Sequence, residues 1–170
     1  TFNPDIYIVG MGYVGLPLAL TFIEAGKTVL GIDVNPDKVQ QLKDGERYIE
    51  DIPADDVAKA VEDGRLAATT RFGELAKADA VIIAVPTPLD DHREPDLSIV
   101  TSAAERIAPH VQHGQLIVLE STTYPGTTRD LLLPIFSHDS SDESISPGGG
   151  RTLPNRTRRG GIISIRSALP

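Results

Sequence analysis

The hexapeptide Gly10-Met11-Gly12-Tyr13-Val14-Gly15 constrains this chain more than any other stretch, because of what stands on either side of it. Asp5–Val9 (DIYIV) is short, apolar and β-branched, and it runs straight into a glycine, as a buried strand does. From Val14 to Ala25 the apolar residues Val14, Leu16, Leu18, Ala19, Phe22 and Ile23 fit a helix that Gly26 stops. Pro17 falls in its first turn, where a missing N–H costs little. A strand that passes through G-x-G-x-x-G into a helix uses each glycine differently. The first allows a tight turn, the second lets a pyrophosphate approach the backbone, and the third allows helix and strand to pack closely. Phosphate then rests on unpaired N–H groups at the positive end of the helix dipole.

A glycine turn alone is weak evidence for a dinucleotide, so the next strand matters. Thr28–Ile32 (TVLGI) reads as that strand, and Asp33 ends it, eighteen residues beyond Gly15. A carboxylate at this place can accept hydrogen bonds from the adenosine ribose hydroxyls. Its charge repels a 2′-phosphate, so NAD is favoured over NADP. Lys38, one helical turn further on, can reach the same ribose edge, although a surface lysine is the plainer reading. A glycine turn followed by a helix-capping Asp is the structural alternative; the strand and helix flanks favour the dinucleotide.

The rest of the chain keeps the same grammar as far as Phe136. Asn35 is an N-cap with Pro36 at N1, opening a helix to about Leu42. Pro53–Glu62 reads as a helix, Leu66–Thr70 as a short strand, and Ala80–Val85 (AVIIAV) as a buried strand. Asp96 caps a helix reaching about Pro109, Gln115–Leu119 is a strand, and Thr127–Phe136 begins another helix. Near-continuous apolar strands alternating with helices make a parallel sheet covered on both faces. The expected fold is α/β, a doubly wound parallel sheet of the Rossmann dinucleotide-binding type, over residues 1–136.

In such a sheet ligands bind outside the carboxyl ends of the strands. Val85-Pro86-Thr87-Pro88 follows the fourth expected strand, and Glu120-Ser121-Thr122-Thr123-Tyr124-Pro125-Gly126-Thr127-Thr128 follows the fifth. Thr87, Ser121 and Thr122 therefore converge on the edge that holds the glycine loop. Their hydroxyls can hydrogen-bond a ribose, a nicotinamide or a substrate water. Each alone would be ordinary turn chemistry; at three strand ends around one cleft they read as a site. Other features carry less. His110 and His113 lack a third ligand, Asp90, Asp91 and Asp96 lack the spacing of a calcium loop, and the acids of Asp44–Asp56 read as a solvated face. No metal is expected.

Composition sets the outer limits. A net charge of −8 argues against a nucleic-acid partner, and no apolar stretch approaches the ~20 residues of a membrane span, so a cytoplasmic domain is expected. There are no cysteines, hence neither disulfides nor a thiol nucleophile within these residues. Residues 1–136 hold 11 basic and 21 acidic residues, whereas residues 137–170 hold five Arg and three acids. In that second stretch Ser, Gly, Pro and Arg make up 20 of 34 residues. It reads as an irregular tail in which only Ile162–Ile165 has the makings of a strand.

Taken in series, GMGYVGLPLA, GIDVNPDKV, VPTPL with a downstream EPDLS, and ESTTYPGTT resemble the UDP-glucose/GDP-mannose dehydrogenase family over about residues 5–136. They are most similar to its bacterial branch acting on UDP-N-acetylhexosamines. The resemblance implies oxidation of a sugar C6 alcohol to a carboxylate in two steps, each reducing one NAD. It implies that Gly10, Met11, Gly12, Tyr13, Val14, Gly15, Asp33 and Lys38 hold the adenosine and pyrophosphate. Val85, Pro86, Thr87, Ser121 and Thr122 would line the nicotinamide side, with Thr122 positioning the catalytic water. It further implies a UDP-sugar substrate and a homodimeric full-length enzyme.

The departures come after Phe136. Where the family continues with a segment of the type YLAFSPERVDPGN, this chain reads Ser144-Ile145-Ser146-Pro147-Gly148-Gly149-Gly150-Arg151-Thr152-Leu153-Pro154-Asn155. That echo is the pattern expected of a shifted reading frame. The family's dimerisation helix, its catalytic lysine and its cysteine have no counterpart here. The second oxidation needs a thiolate to capture the aldehyde as a thiohemiacetal, which these residues cannot supply. Two alternatives stay open: a non-catalytic NAD-binding module, and another β-hydroxyacid-type dehydrogenase such as 6-phosphogluconate dehydrogenase. ESTTYPGTT argues against the second.

Overall fold

A computed structural model describes residues 2–112, 114–121, 123 and 126–136, together with the backbone of 137 and 161–164. Its strands are β1 (Ile6–Val9), β2 (Val29–Ile32), β3 (Leu66–Thr69), β4 (Ala80–Ile83), β5 (Leu116–Leu119) and β6 (Gly161–Ser164). The helices are α1 (Gly15–Glu24), α2 (Pro36–Lys43), α3 (Ala54–Glu62), α4 (Ser98–Ile107) and α5 (Leu133–Ser137). Short 3₁₀ turns, Phe72–Lys77 and Ala108–His110, precede β4 and follow α4.

The strands form one sheet in the order β3-β2-β1-β4-β5-β6, and every pairing is parallel. This is the doubly wound sheet the sequence pattern predicts. The chain starts in the middle, winds outward through β2 and β3, then returns to place β4 on the other side of β1. Register carries the functional consequence. Val9 lies opposite both Ile32 and Ile83, and Ile83 opposite Leu119. Four strands therefore end level, and the residues after them emerge at one edge.

Alternation along the strands divides the core between two faces. Tyr7, Val9, Leu30, Ile32, Val81, Ile83, Ile117 and Leu119 point to the side covered by α4, Leu132 and Phe136. Ile8, Val29, Leu66, Ala68, Ile82 and Ala84 point to the side covered by α1, α2 and α3. With apolar demand on both faces, the strands read as unbroken hydrophobic runs rather than as alternating ones.

Local signals fix several boundaries. Asn35 caps α2 through its side-chain oxygen, which accepts from the N–H groups of Asp37 at 2.9 Å and Lys38 at 3.3 Å. Asp96 stands one place ahead of the residue that caps α4, Leu97, and accepts from Ser98 N–H at 2.9 Å. The helix expected from Thr127 differs in form: Thr128–Leu132 is wound as a π-helix before α5 begins. Pro134 has no N–H to give to the carbonyl of Asp130, which favours the wider i→i+5 winding just before it. β6 starts one residue earlier than its apolar pattern suggests and pairs with β5. His113, Thr122, Tyr124 and Pro125 lie outside the described residues, as do 138–160 and 165–170.

Candidate dinucleotide site

The level strand ends open onto a cavity of about 650 Å³, a size suited to a cofactor. Its floor is the glycine loop. Gly10 has φ +93°, and a Cβ there would also lie 2.8 Å from the carbonyl oxygen of Ala84, so only glycine turns the chain off β1. Gly15 is needed for a different reason: its Cβ would sit 1.7 Å from the carbonyl oxygen of Gly10. Gly12 faces the other way, with no atom within 4 Å of the place its Cβ would take. Its bare face lines the cavity, leaving space for a group that must touch backbone.

The start of α1 is left open to an anion. No side chain caps it, and its first turn holds no acidic residue. Among the described residues the N–H groups of Gly12, Tyr13 and Val14 have no hydrogen-bond acceptor. These donors sit at the positive end of the helix dipole, which suits a pyrophosphate. Tyr13 and Val14 are themselves exposed at the cavity mouth.

Asp33 forms the second wall and is 6% exposed. Its Oδ2 accepts from Met11 N–H at 2.8 Å and from Lys38 Nζ at 3.3 Å, while Oδ1 accepts from Asn35 N–H at 3.0 Å. Both oxygens of this buried carboxylate are held by donors, and their remaining lone pairs can accept ribose hydroxyls. Lys38 stands beside it at the cavity edge.

The expected site residues divide into two groups. Gly10, Gly12, Tyr13, Val14, Asp33, Lys38, Val85 and Pro86 line the cavity. Met11 and Gly15 do not, because both are buried beneath it; Met11 packs over Gly31, where any Cβ would meet its sulfur at 2.7 Å. Thr87 and Ser121 lie past the lining. Ser121 is buried, and its Oγ donates to Val85 O at 2.7 Å, tying the segment after β5 to the segment after β4. Thr122 lies outside the described residues.

Sequence reading missed the opposite wall. Ile99, Ser102, Ala103 and Arg106 face the cavity from α4, and Phe72 joins them from the turn after β3. The Arg106 guanidinium carbon is 5.8 Å from the Phe72 ring centroid. The one available signal was helical spacing, since 99, 102, 103 and 106 share a stripe. Nothing in that stripe distinguishes a cofactor wall from an amphipathic rim.

A glycine-floored cleft at the switch point of a parallel sheet, with a buried acid ending β2, defines a dinucleotide-binding domain. Residues 4–162 match the family model described as the UDP-glucose/GDP-mannose dehydrogenase family, NAD binding domain. The chain belongs to that family. It is 36% identical over 155 residues to UDP-N-acetyl-D-glucosamine 6-dehydrogenase of Pseudomonas aeruginosa, covering 84% of this chain and 36% of that protein. It is 39% identical over 163 residues to UDP-N-acetyl-D-mannosamine dehydrogenase of Yersinia pestis, covering 89% of this chain and 38% of that protein. A solved ternary complex of GDP-mannose dehydrogenase from Pseudomonas aeruginosa superposes with a TM-score of 0.73 at 27% identity, over 78% of this chain and 31% of that one. The chain thus spans little more than a third of the curated relatives it matches. The family match also decides against the other β-hydroxyacid dehydrogenases that share a glycine loop.

Proposed function

We propose that this chain is the cofactor-holding part of a nucleotide-sugar 6-dehydrogenase that oxidises the C6 alcohol of a UDP-N-acetylhexosamine or of UDP-glucose to a uronate. The observation that carries this reading is the pairing of a buried, preformed Asp33 carboxylate with the unobstructed face of Gly12. One accepts ribose hydroxyls and the other admits a pyrophosphate. When bound, NAD supplies the hydride acceptor. The chain's own residues hold and orient it: the N–H groups of Gly12, Tyr13 and Val14 meet the phosphates, and Asp33 and Lys38 fix the adenosine ribose. Val85 and Pro86 give the nicotinamide side an apolar seat, Ser121 braces that seat from below, and Thr87 stands at its edge. Thr122 is assigned the positioning of the catalytic water by its place in the ESTTYPGTT motif. The names of the related enzymes support the sugar-nucleotide substrate. Lysine and thiol chemistry is assigned to parts of the enzyme beyond these residues.

The same reading makes the enzyme cytoplasmic and homodimeric. Among the described residues no helix is long and apolar enough to cross a membrane. Calorimetric titration of the chain with NAD and with NADP tests the cofactor assignment. Saturable binding that prefers NAD is expected, and Asp33→Ala should weaken it by about 1–3 kcal/mol, roughly fivefold to 150-fold. Equal affinity for NADP, or no effect of the substitution, would overturn the role given to Asp33.

A further inference from the structure

Tyr48 lies in the connection between α2 and α3, which carries no cofactor motif, yet it reaches into the glycine loop. Its phenolic O–H donates to the backbone carbonyl of Met11. Its ring lies beneath Lys38, whose Nζ is 5.6 Å from the ring centroid. Lys38 in turn pairs with Asp33, and the same Asp33 oxygen accepts the N–H of Met11 at 2.8 Å. Two successive peptide groups of the glycine loop, those on either side of Met11, are therefore fixed by side chains from two separate segments. The connection that presents Tyr48 is itself held firmly. Ile49 and Ile52 are buried in the core at 3% and 5% exposure, and Arg47 Nη1 donates to the carbonyls of Glu50 at 2.8 Å and Ile52 at 3.0 Å. Burial first, and the Asp33 charge second, push the Tyr48 phenol above its ordinary value, so it keeps its proton and donates throughout the neutral range.

We propose that Tyr48 is a positioning residue for the NAD site, holding the glycine loop at Met11 and Lys38 beside Asp33 before the cofactor arrives. This rests on the cofactor reading above. Its physical content is preorganisation: a loop and a long cationic side chain already ordered in the free protein lose less freedom on binding. The ordinary alternative is a core tyrosine that has merely found a carbonyl, and it makes a different prediction. Such a residue would lower the melting temperature when replaced and leave the affinity for NAD untouched.

Calorimetry with NAD on the whole chain separates the two, with the melting temperature followed in parallel. Tyr48→Phe keeps the ring under Lys38 and deletes only the donor; NAD should bind about fivefold more weakly, the usual weight of one hydrogen bond. Tyr48→Leu also removes the ring and should cost more. That extra cost should vanish when Lys38→Met is already present, since the two residues act through one contact. Wild-type binding with unchanged affinity in both Tyr48 variants would overturn the inference and leave the cofactor reading standing. So would an extra Leu cost that persists without Lys38. Absence of NAD binding by the wild-type chain would overturn the cofactor reading and this inference together.

Discussion

The two walls of the cleft are built by different means. The wall formed by the glycine loop and Asp33 is polar, densely hydrogen-bonded and assembled from residues 10–38. The wall formed by α4 and Phe72 is mainly apolar, with Arg106 at its rim, and its parts come from residues 72–106. On the first wall identity is dictated by backbone geometry and by buried charge, where one wrong atom is expensive. On the second, shape and apolarity are what count, and several side chains would serve. A cofactor site of this kind specifies phosphate and ribose on one side and only encloses on the other.

Substitutions at the glycines should show the first wall's intolerance most strongly. Gly15→Ala forces a methyl onto the Gly10 carbonyl, with backbone on both sides of the clash. It should lower stability by about 3 kcal/mol or more and be visible in denaturant unfolding. A variant as stable as the wild type would mean the loop can rearrange and the wall is softer than its geometry implies.

Gly12→Val separates folding from binding within the same loop. A Cβ at this position has no heavy atom within 4 Å, so the unfolding midpoint should stay close to that of the wild type. NAD binding should be abolished, because the valine takes the space the pyrophosphate needs. Retained affinity would place the phosphates elsewhere.

The second wall should yield the smallest effect. Arg106→Ala removes a cation stacked on Phe72, a contact worth about 0.5–1 kcal/mol at an exposed position. The stability of the free protein should fall by about that amount, and NAD affinity by no more than about twofold, since the contact is made whether or not NAD is bound. A loss as large as that for Asp33→Ala would erase the contrast between the walls and make α4 a specific reader of the adenosine end.

The contrast also explains which parts of the molecule were legible beforehand. The alternation of strands and helices, the Asn35 cap and the glycine loop all follow from interactions within a few residues, and the structure contains them. The π-winding at Thr128–Leu132 was not legible, because over five residues an apolar pattern does not separate i→i+4 from i→i+5 winding. Tyr48 was equally silent. A lone tyrosine in a charged connection carries no pattern, and its bond to Met11 spans 37 positions.

The sequence alone determined the strand–helix order and the doubly wound class, because short-range spacing and buried apolar runs leave few other folds open, while the resemblance of its four motifs pointed to the family. It also determined that a carboxylate ends β2 and a glycine loop ends β1. Tertiary structure decided which of those residues face the cavity. Register brought four strand ends level, buried Met11 and Gly15 beneath the floor, and turned Ser121 to brace Val85. It alone set α4 and Tyr48 against the site, since contacts between distant segments depend on the packing of whole elements and leave no local period to read.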